Sequence, residues 1–356
     1  MFTVVLLVIT SFILCYGISL LLMAQREKQV SKLKADKYLV LTGCDSGIGE
    51  AVLKSLLSIK SRFTVVGVFK ERDNAETAAK LFEGSRFVPK ICDISCPTQI
   101  KSLAHQILTE RGTSGLFGLV NVAGVIIAGD AILMGTPDYR KVFEVNFFGT
   151  VELTQLLLPH LIKNRGMVLF TTSVLSQLLL PGLSAYSSSK LALEGYIDCL
   201  RRETSLLGLH VVTIRPPQTK TKLLPNMWNS YQQMFDKAPK EIQSILGQKY
   251  IDRIVNGSMR RVTDASAISV EKVANTICRV IMTSNPSPVH WIGLFGKAIA
   301  LPLSLLPVWL VDLCLVRGNH IIFGIRAGPD YQPELQPVSP PLSQEGHKEE
   351  SRKKKK

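Results

Sequence analysis

Tyr186 and Lys190 stand four residues apart, thirteen positions after Ser173, and these side chains could together move a proton. On a helix, residues at this spacing share one face, so the Lys190 ammonium would lie beside the Tyr186 ring. It would favour the phenolate and lower the phenol pKa from its reference of about 10. Such a phenol can exchange a proton with an alcohol oxygen near neutral pH, and the Ser173 hydroxyl could hold that oxygen. The alternative is a surface tyrosine beside a solvated lysine, because this spacing alone carries little information.

A glycine-rich turn near the start of the chain joins a predicted strand to a predicted helix. The apolar run from Lys37 to Thr42 is typical of a buried strand, and residues Glu50 to Leu57 follow a helical pattern. Such a turn lets a pyrophosphate approach the backbone and rest on the helix N-terminus, whereas an ordinary tight turn is the alternative. The candidate cofactor residues here are Thr42, Gly43, Asp45, Ser46, Gly47, Ile48 and Gly49.

The end of the second predicted strand, Phe63 to Phe69, should face the adenosine ribose of a bound dinucleotide. A cation there, Lys70 or Arg72, suits a 2′-phosphate, whereas Glu71 could hold a 2′-hydroxyl. The sequence therefore leaves NAD and NADP open, with Lys70 as a candidate contact. Asp93, after the third predicted strand, is placed either to meet the adenine edge or to act as the N-cap of the next helix.

These motifs occur in an order that resembles the short-chain dehydrogenase/reductases, over roughly residues 37–325. The shared features are the glycine turn, Asn121–Gly124, Asn146, Ser173 and the Tyr186/Lys190 pair. The resemblance implies a catalytic tetrad of Asn146, Ser173, Tyr186 and Lys190. In it, Tyr186 is the acid/base and Ser173 holds the substrate oxygen. Lys190 tunes Tyr186 and binds the nicotinamide ribose, and Asn146 holds the water of a proton relay.

The resemblance also implies contacts to the cofactor beyond the glycine turn. They are Asp93, Asn121, Ala123, Gly124, Tyr186, Lys190, Pro216 and Thr219. The family usually has Pro-Gly after the strand predicted at Val211–Ile214, but this chain has Pro216-Pro217. The hydroxyl groups of Thr219 and Thr221 remain available to the nicotinamide end.

Several stretches narrow the resemblance to the microsomal retinol and 17β-hydroxysteroid dehydrogenase branch. They are Thr42–Gly47, Cys199–Glu203, Phe235–Ile242, Gly247–Tyr250 and Leu301–Pro307. The double proline is also similar to that of the 3-ketosphinganine reductases, which are likewise membrane-bound. A ketoreductase of lipid synthesis is therefore the alternative function.

The apolar run from Phe2 to Met23 predicts a transmembrane anchor at residues 1–24. It would extend roughly 33 Å as a helix, enough for a bilayer core of about 30 Å. A cleaved signal peptide is the alternative, but the run is long and lacks a basic leading region. The linker at 25–36 is basic, and the positive-inside rule then places the following domain in the cytosol. The basic residues after the anchor are Arg26, Lys28, Lys32, Lys34 and Lys37.

The C-terminal region carries a second apolar stretch, Ile299 to Val316, interrupted by prolines and Asp312. An acid in the middle of a span is unfavourable, so residues 286–327 are predicted to associate with the membrane surface near the substrate entrance. Trp291 and Trp309 are candidate headgroup anchors, and a buried core helix is the alternative. Residues 328–356 have the composition of a disordered tail, and their end resembles a dilysine endoplasmic-reticulum signal at Lys353-Lys354.

Composition excludes several other classes of function. The seven cysteines and six histidines show no ligand spacing, so no metal site is expected. The net charge of +14 has no accompanying nucleic-acid motif, and basic patches beside an apolar segment more often meet lipid headgroups. Nucleic acid is therefore not an expected partner, and a homodimer is a candidate assembly.

The sequence as a whole predicts an α/β fold, a Rossmann-like doubly wound parallel sheet in one domain at 37–285. A substrate lid is predicted at about 217–260, where the segment Leu223–Lys249 supplies apolar and aromatic side chains. The predicted function is a membrane-bound, NAD(P)-dependent oxidoreductase of the endoplasmic reticulum, facing the cytosol. It would interconvert an alcohol and a carbonyl on a lipophilic retinoid or hydroxysteroid. A non-catalytic membrane scaffold is a remote alternative, because such a protein would be expected to lack Tyr186 or Lys190.

Overall fold

Seven strands form a parallel sheet in the order β3-β2-β1-β4-β5-β6-β7 in the computed structural model, which describes residues 37–58 and 63–317. The strands are β1 Tyr38–Thr42, β2 Thr64–Phe69, β3 Phe87–Ile91, β4 Leu116–Asn121, β5 Met167–Thr171, β6 His210–Arg215 and β7 Val289–Trp291. The first helices are α1 Gly47–Ser58, α2 Arg72–Leu81, α3 Pro97–Arg111, α4 Thr136–Phe143, α5 Thr150–Lys163 and α6 Ser184–Glu203. They are followed by α7 Leu223–Lys237, α8 Lys240–Leu246, α9 Gln248–Val255, α10 Ser258–Ser266, α11 Val270–Ile281, α12 Leu301–Ser304 and α13 Val308–Asp312. The predicted doubly wound sheet is confirmed.

Both faces of the sheet are buried, which explains why its strands are nearly continuous apolar runs. Successive residues of β1 point to opposite faces: Leu39 and Leu41 pack in one core cluster, and Val40 packs in another. Helices α1 and α11 cover the first face, and α3, α5 and α6 cover the second. The sheet is thus a rigid platform whose carboxyl edge carries the loops of the site.

The strand order reverses between β1 and β4, and this is where the loops after parallel strands leave a crevice for a ligand. The Thr42 hydroxyl ties the two loops together by accepting hydrogen bonds from the N–H groups of Val122 and Ala123, at 3.1 and 3.2 Å. A Cβ atom on Gly43 would lie 2.8 Å from the Ala123 backbone, and Gly43 also has a φ of +76°. Glycine is therefore required here for the close approach of the two loops.

The chain after β6 forms the helices α7, α8 and α9, where the lid was predicted. Trp228, Tyr231 and Phe235 of α7 pack against Ile251 and its neighbours in a separate apolar cluster. The sheet then continues to β7, which pairs with β6. The domain boundary predicted at residue 285 is therefore too early, because the last strand lies at Val289–Trp291.

The segment after β7 is helical and broken by prolines, and it exposes large apolar side chains. Leu294, Val308 and Trp309 are 79%, 75% and 68% exposed. The Arg215 guanidinium stacks on the ring of Trp291, at 4.7 Å from the ring centroid. Within residues 37–58 and 63–317, no helix combines the length and apolarity needed to cross a bilayer. The predicted anchor at 1–24, the linker at 25–36 and the tail at 328–356 lie outside the described residues.

Candidate active site

Three of the four tetrad residues line one cavity of about 500 Å³. Ser173 lies two residues after the end of β5, and Tyr186 and Lys190 lie on α6. The fourth, Asn146, lies in a π-helical turn at Glu144–Gly149 and is fully buried. Gly124 lies between them: a Cβ atom there would be 3.2 Å from Asn146 Oδ1 and 3.3 Å from Lys190 Nζ. The fold thus brings all four residues around the loop that follows β4.

Ser173 is held in a defined orientation, since its hydroxyl oxygen accepts a hydrogen bond from the Leu175 N–H at 3.1 Å. The Ser173 hydroxyl proton can therefore be donated either to the neighbouring Tyr186 oxygen or to a ligand oxygen. Burial raises the pKa of Tyr186, while the neighbouring Ser173 hydroxyl acts to lower it. The prediction that the pKa of Tyr186 lies below its ordinary value is wrong for this structure, because burial of the phenol raises that pKa more than its neighbours lower it. The phenol is protonated at neutral pH and can deliver a proton.

Lys190 is 3% exposed, and its ammonium donates a hydrogen bond to the Thr171 carbonyl at 3.0 Å. Burial lowers the pKa of Lys190 to about 8, and the nearby Glu194 carboxylate opposes this change. The ammonium lies 6.0 Å from the Tyr186 ring centroid. Lys190 is therefore a cation beside the Tyr186 ring. Its ammonium can lose its charge at moderately alkaline pH.

The Asn146 side chain already has a protein partner at each polar atom. Its Oδ1 accepts from the Val125 N–H at 2.8 Å, and its Nδ2 donates to the Val125 carbonyl and the Ser189 hydroxyl, both at 3.0 Å. The side chain thus fixes the loop after β4 against α6. The relay role of Asn146 stays a prediction.

A buried ion pair between Glu194 and Arg215 supports the site, and sequence reasoning missed it. Arg215 Nε and a terminal guanidinium nitrogen donate to the two carboxylate oxygens at 2.9 and 2.7 Å. The same carboxylate accepts from the hydroxyls of Thr172 and Ser176 at 2.7 and 2.8 Å. Glu194 therefore holds the chain on both sides of Ser173. One signal could have revealed it: Glu194 lies one helical turn beyond Lys190, on the same face.

The adenosine end of the crevice is organised by Asp45 of the glycine turn. Its carboxylate accepts from the backbone N–H groups of Lys70 and Glu71 at 2.8 and 2.9 Å, and from the Asn74 side chain at 3.1 Å. Lys70 Nζ lies 2.9 Å from Asp93 Oδ2. The predicted alternative of Asp93 as a helix N-cap is wrong, because Cys96 occupies that position before α3.

The remaining predicted cofactor contacts line the crevice or support its walls. Ile48, Gly124, Pro216 and Thr219 line the cavity, and Ser46 and Gly47 lie at the start of α1. Asn121 donates to the Thr154 hydroxyl at 3.2 Å and so holds β4 against α5. The cavity wall also holds the buried Thr171 hydroxyl, which has no hydrogen-bond partner within the described part of the chain.

These residues fit a dinucleotide cofactor. Gly47 has a φ of +61°, and a side chain on Gly49 would overlap the Gly43 carbonyl, so the turn packs backbone against backbone. Helix α1 begins at Gly47, next to Ile48 of the cavity lining, and the free N–H groups of a helix N-terminus can donate hydrogen bonds to a pyrophosphate. The Thr171 hydroxyl and the Lys190 ammonium supply further donors near the catalytic end. The site therefore offers donors to the cofactor at both ends of the crevice.

Comparison with known proteins agrees with this geometry. The model of the short chain dehydrogenase family matches residues 37–232. Retinol dehydrogenase 7 of Mus musculus is 27% identical over 301 residues, covering 84% of this chain and 94% of the relative. The 17-beta-hydroxysteroid dehydrogenase type 6 of Rattus norvegicus is 30% identical over 307 residues, covering 85% and 95%.

Solved structures share the fold. A short chain dehydrogenase from Burkholderia cenocepacia in complex with NADP has a TM-score of 0.59 at 19% identity, covering 80% of this chain and 99% of that one. The match to the family model and the relatives confirm the predicted retinol and hydroxysteroid dehydrogenase branch. The chain belongs to the short chain dehydrogenase family, as an NAD(P)-dependent oxidoreductase that acts on CH–OH groups.

Proposed function

We propose that this enzyme interconverts an alcohol and a carbonyl group on a lipophilic substrate of the retinoid or hydroxysteroid type. The observation that carries the proposal is the cavity itself, in which Ser173 and Tyr186 face a largely apolar wall. That wall includes Leu175, Leu178, Leu183, Met227, Phe295 and Leu303. Such a lining binds hydrocarbon, and a few polar groups orient the reacting oxygen.

The roles proposed for the chain's own residues follow from their contacts. Ser173 donates a hydrogen bond to the substrate oxygen, and Tyr186 gives that oxygen a proton in reduction or removes one in oxidation. Lys190 stabilises negative charge as it develops on Tyr186 and binds the ribose of the cofactor. When bound, the nicotinamide supplies or accepts the hydride at the substrate carbon.

Assays of full-length protein in microsomes test this proposal directly. Retinol, hydroxysteroids and 3-ketosphinganine would each be supplied with NAD(H) and with NADP(H). Turnover of retinol or a hydroxysteroid supports the proposal. Turnover of 3-ketosphinganine alone would assign the enzyme to lipid synthesis instead.

We propose that the apolar C-terminal segment rests on a membrane and admits the substrate from it. Phe295, Ile299 and Leu303 line the cavity, while Val308 and Trp309 nearby are exposed. One face of the segment therefore lines the cavity and another offers apolar side chains to lipid. Together with the apolar run at 1–24, the basic linker at 25–36 and the tail lysines, this supports an enzyme of the endoplasmic reticulum whose catalytic domain faces the cytosol.

Asn256 reports on this orientation, because Asn256-Gly-Ser258 is an N-glycosylation sequon. The Asn256 side chain is exposed, so burial would not protect it from the glycosylation machinery. We expect no endoglycosidase-sensitive mass on the protein expressed in cells, and protease added to intact microsomes should destroy the catalytic domain. A glycosylated Asn256, or a domain resistant until detergent is added, would contradict the cytosolic orientation.

We also propose that the adenosine end favours NAD over NADP. The Asp45 carboxylate already occupies the backbone N–H groups of Lys70 and Glu71, which a 2′-phosphate would otherwise use. It can still accept a hydrogen bond from a ribose hydroxyl, whereas it repels a phosphate. Lys70 is engaged by Asp93, which removes one cation from the same place.

Asp45→Asn should therefore strengthen NADP binding relative to NAD by at least about tenfold, because it removes a charge close to the 2′ position. Dissociation constants for NADH and NADPH, measured by nucleotide fluorescence, test this without turnover. Asp73→Asn is the matched control, since Asp73 is an exposed acid in the first turn of α2. An unchanged ratio in Asp45→Asn would contradict the assignment and make Glu71 the residue to test.

A further inference from the structure

A second polar centre lines the same cavity as Ser173 and Tyr186. It consists of Asp130, Tyr231 and Tyr250. Asp130 lies in the loop after β4, Tyr231 on α7 and Tyr250 on α9. Three segments that are distant in sequence therefore place polar groups together in a wall that is otherwise largely apolar.

The Tyr231 hydroxyl lies beside Asp130 and Tyr250, but it makes no hydrogen bond of good geometry within residues 37–58 and 63–317, although the side chain is only 3% exposed. Burial raises the pKa of Tyr231, and the neighbouring Asp130 and Tyr250 raise it further. The phenol is therefore a protonated donor near neutral pH. A buried donor whose hydrogen bonds are poorly formed is unfavourable, so a ligand acceptor at this point would stabilise the site.

Asp130 supplies a hydrogen-bond acceptor beside the Tyr231 donor. Its carboxylate accepts a hydrogen bond from the Tyr250 hydroxyl at 2.9 Å. A carboxylate can accept about four hydrogen bonds, so Asp130 has capacity for a further donor. A ligand hydroxyl satisfies both groups, because it donates to Asp130 and accepts from Tyr231.

Apolar side chains separate this centre from the catalytic one. Tyr186 packs in a cluster with Leu175 and Leu178, whereas Tyr231 packs in a cluster with Met227. Leu183 belongs to the borders of both clusters. A ligand that reaches both polar centres must therefore carry two oxygen functions with hydrocarbon between them.

We propose that Asp130 and Tyr231 form a subsite for a second hydroxyl group of the substrate, remote from the reacting carbon. This inference rests on the function proposed above and narrows it. The preferred substrates are lipophilic diols or hydroxyketones of the hydroxysteroid type. A retinoid alcohol, whose one oxygen is the reacting oxygen, leaves the subsite unfilled.

Matched substrates test the subsite in the full-length protein in membranes. One is 5α-androstane-3α,17β-diol, and the others are the two mono-ols, 5α-androstan-3α-ol and 5α-androstan-17β-ol. Tyr231→Phe should raise KM for the diol about five- to tenfold more than for the mono-ols, as expected for one lost hydrogen bond. Tyr139→Phe is the control, because it removes a tyrosine hydroxyl bonded to Ser184 instead.

The Tyr250–Asp130 bond could simply tether α9 to the loop after β4, and the experiment separates that role from a subsite. Loss of the tether affects the diol and the mono-ols equally, so an equal change in KM in Tyr231→Phe and in Asp130→Asn would overturn the proposal. A selective loss for the diol supports it.

Measurements of steroid binding test the subsite independently of whether the enzyme oxidises these steroids. Trp228 lines the cavity, so tryptophan fluorescence can report binding of each steroid without turnover. If the wild-type protein oxidises none of the three, the proposed function fails for hydroxysteroids, yet binding still decides the subsite. Tighter binding of the diol that is lost in Tyr231→Phe supports the subsite, and equal binding of diol and mono-ols overturns it.

Discussion

Tyr186→Phe should reduce turnover at least ~100-fold, because it keeps the ring and deletes the proton that passes to the substrate oxygen. Ser173 and Lys190 would still bind and orient ligands, so the dissociation constant of the cofactor should stay close to that of the wild type. Steady-state kinetics with the substrate identified in microsomes, together with nucleotide fluorescence, measure the two effects separately.

Tyr196→Phe is the matched control for this experiment. Tyr196 lies on the same helix, and its ring packs against Phe170 at a centroid distance of 6.2 Å. Its substitution should leave turnover within about twofold, since the hydroxyl is remote from the cavity lining. Near wild-type turnover in Tyr186→Phe would remove Tyr186 from the mechanism. Equal losses in both variants would show that the helix had been disturbed.

Glu194→Ala should lower the free energy of unfolding by about 3–5 kcal/mol, because it leaves the Arg215 guanidinium buried without its partner. The side chains of Arg215 and Glu194 are only 13% and 7% exposed. Turnover should fall as well, since the carboxylate also holds Thr172 and Ser176 on either side of Ser173. Thermal or chemical denaturation of the purified full-length protein measures the first effect.

Asp198→Ala gives the comparison on the same helix. Asp198 also pairs with arginines, Arg201 and Arg202, but its side chain is 41% exposed. Exposed pairs contribute about 0–1 kcal/mol, so this variant should be nearly as stable as the wild type. Similar stability losses in Asp198→Ala and Glu194→Ala would show that burial of the Glu194 pair has no special effect. Substituting Glu194 and Arg215 together by methionine should recover much of the stability lost in Glu194→Ala.

The alternating strands and helices, the glycine turn and the Tyr186/Lys190 pair could be read from the sequence because each is a local pattern, whereas Asn146 and Ser173 were implied by the family resemblance. Tyr186 and Lys190 share a helix, and Gly43 to Gly49 share a turn. Their spacing is visible without a structure, and its meaning came from the order in which these motifs occur along the chain. The burial of the strands followed from their composition for the same reason.

Contacts between distant segments could not be read in this way. The Glu194–Arg215 pair joins a helix to a strand 21 residues later, and Asp45 reaches backbone groups 25 and 26 residues away. Each depends on which strands are neighbours in the sheet. The direction of the Tyr186 pKa was also missed, because it depends on how completely the surrounding chain excludes water.

The position of β7 has a consequence for synthesis of the enzyme. The tetrad is complete at residue 190, but the cavity wall includes Phe295, Ile299 and Leu315, which follow β7 in the chain. Domains tend to fold from the N-terminus as the ribosome delivers them. A nascent chain that has reached only α11 thus contains all four proposed catalytic residues but lacks Phe295, Ile299 and Leu315 of the cavity wall. Premature termination before β7 would therefore leave the four tetrad residues in the chain but the cavity wall incomplete.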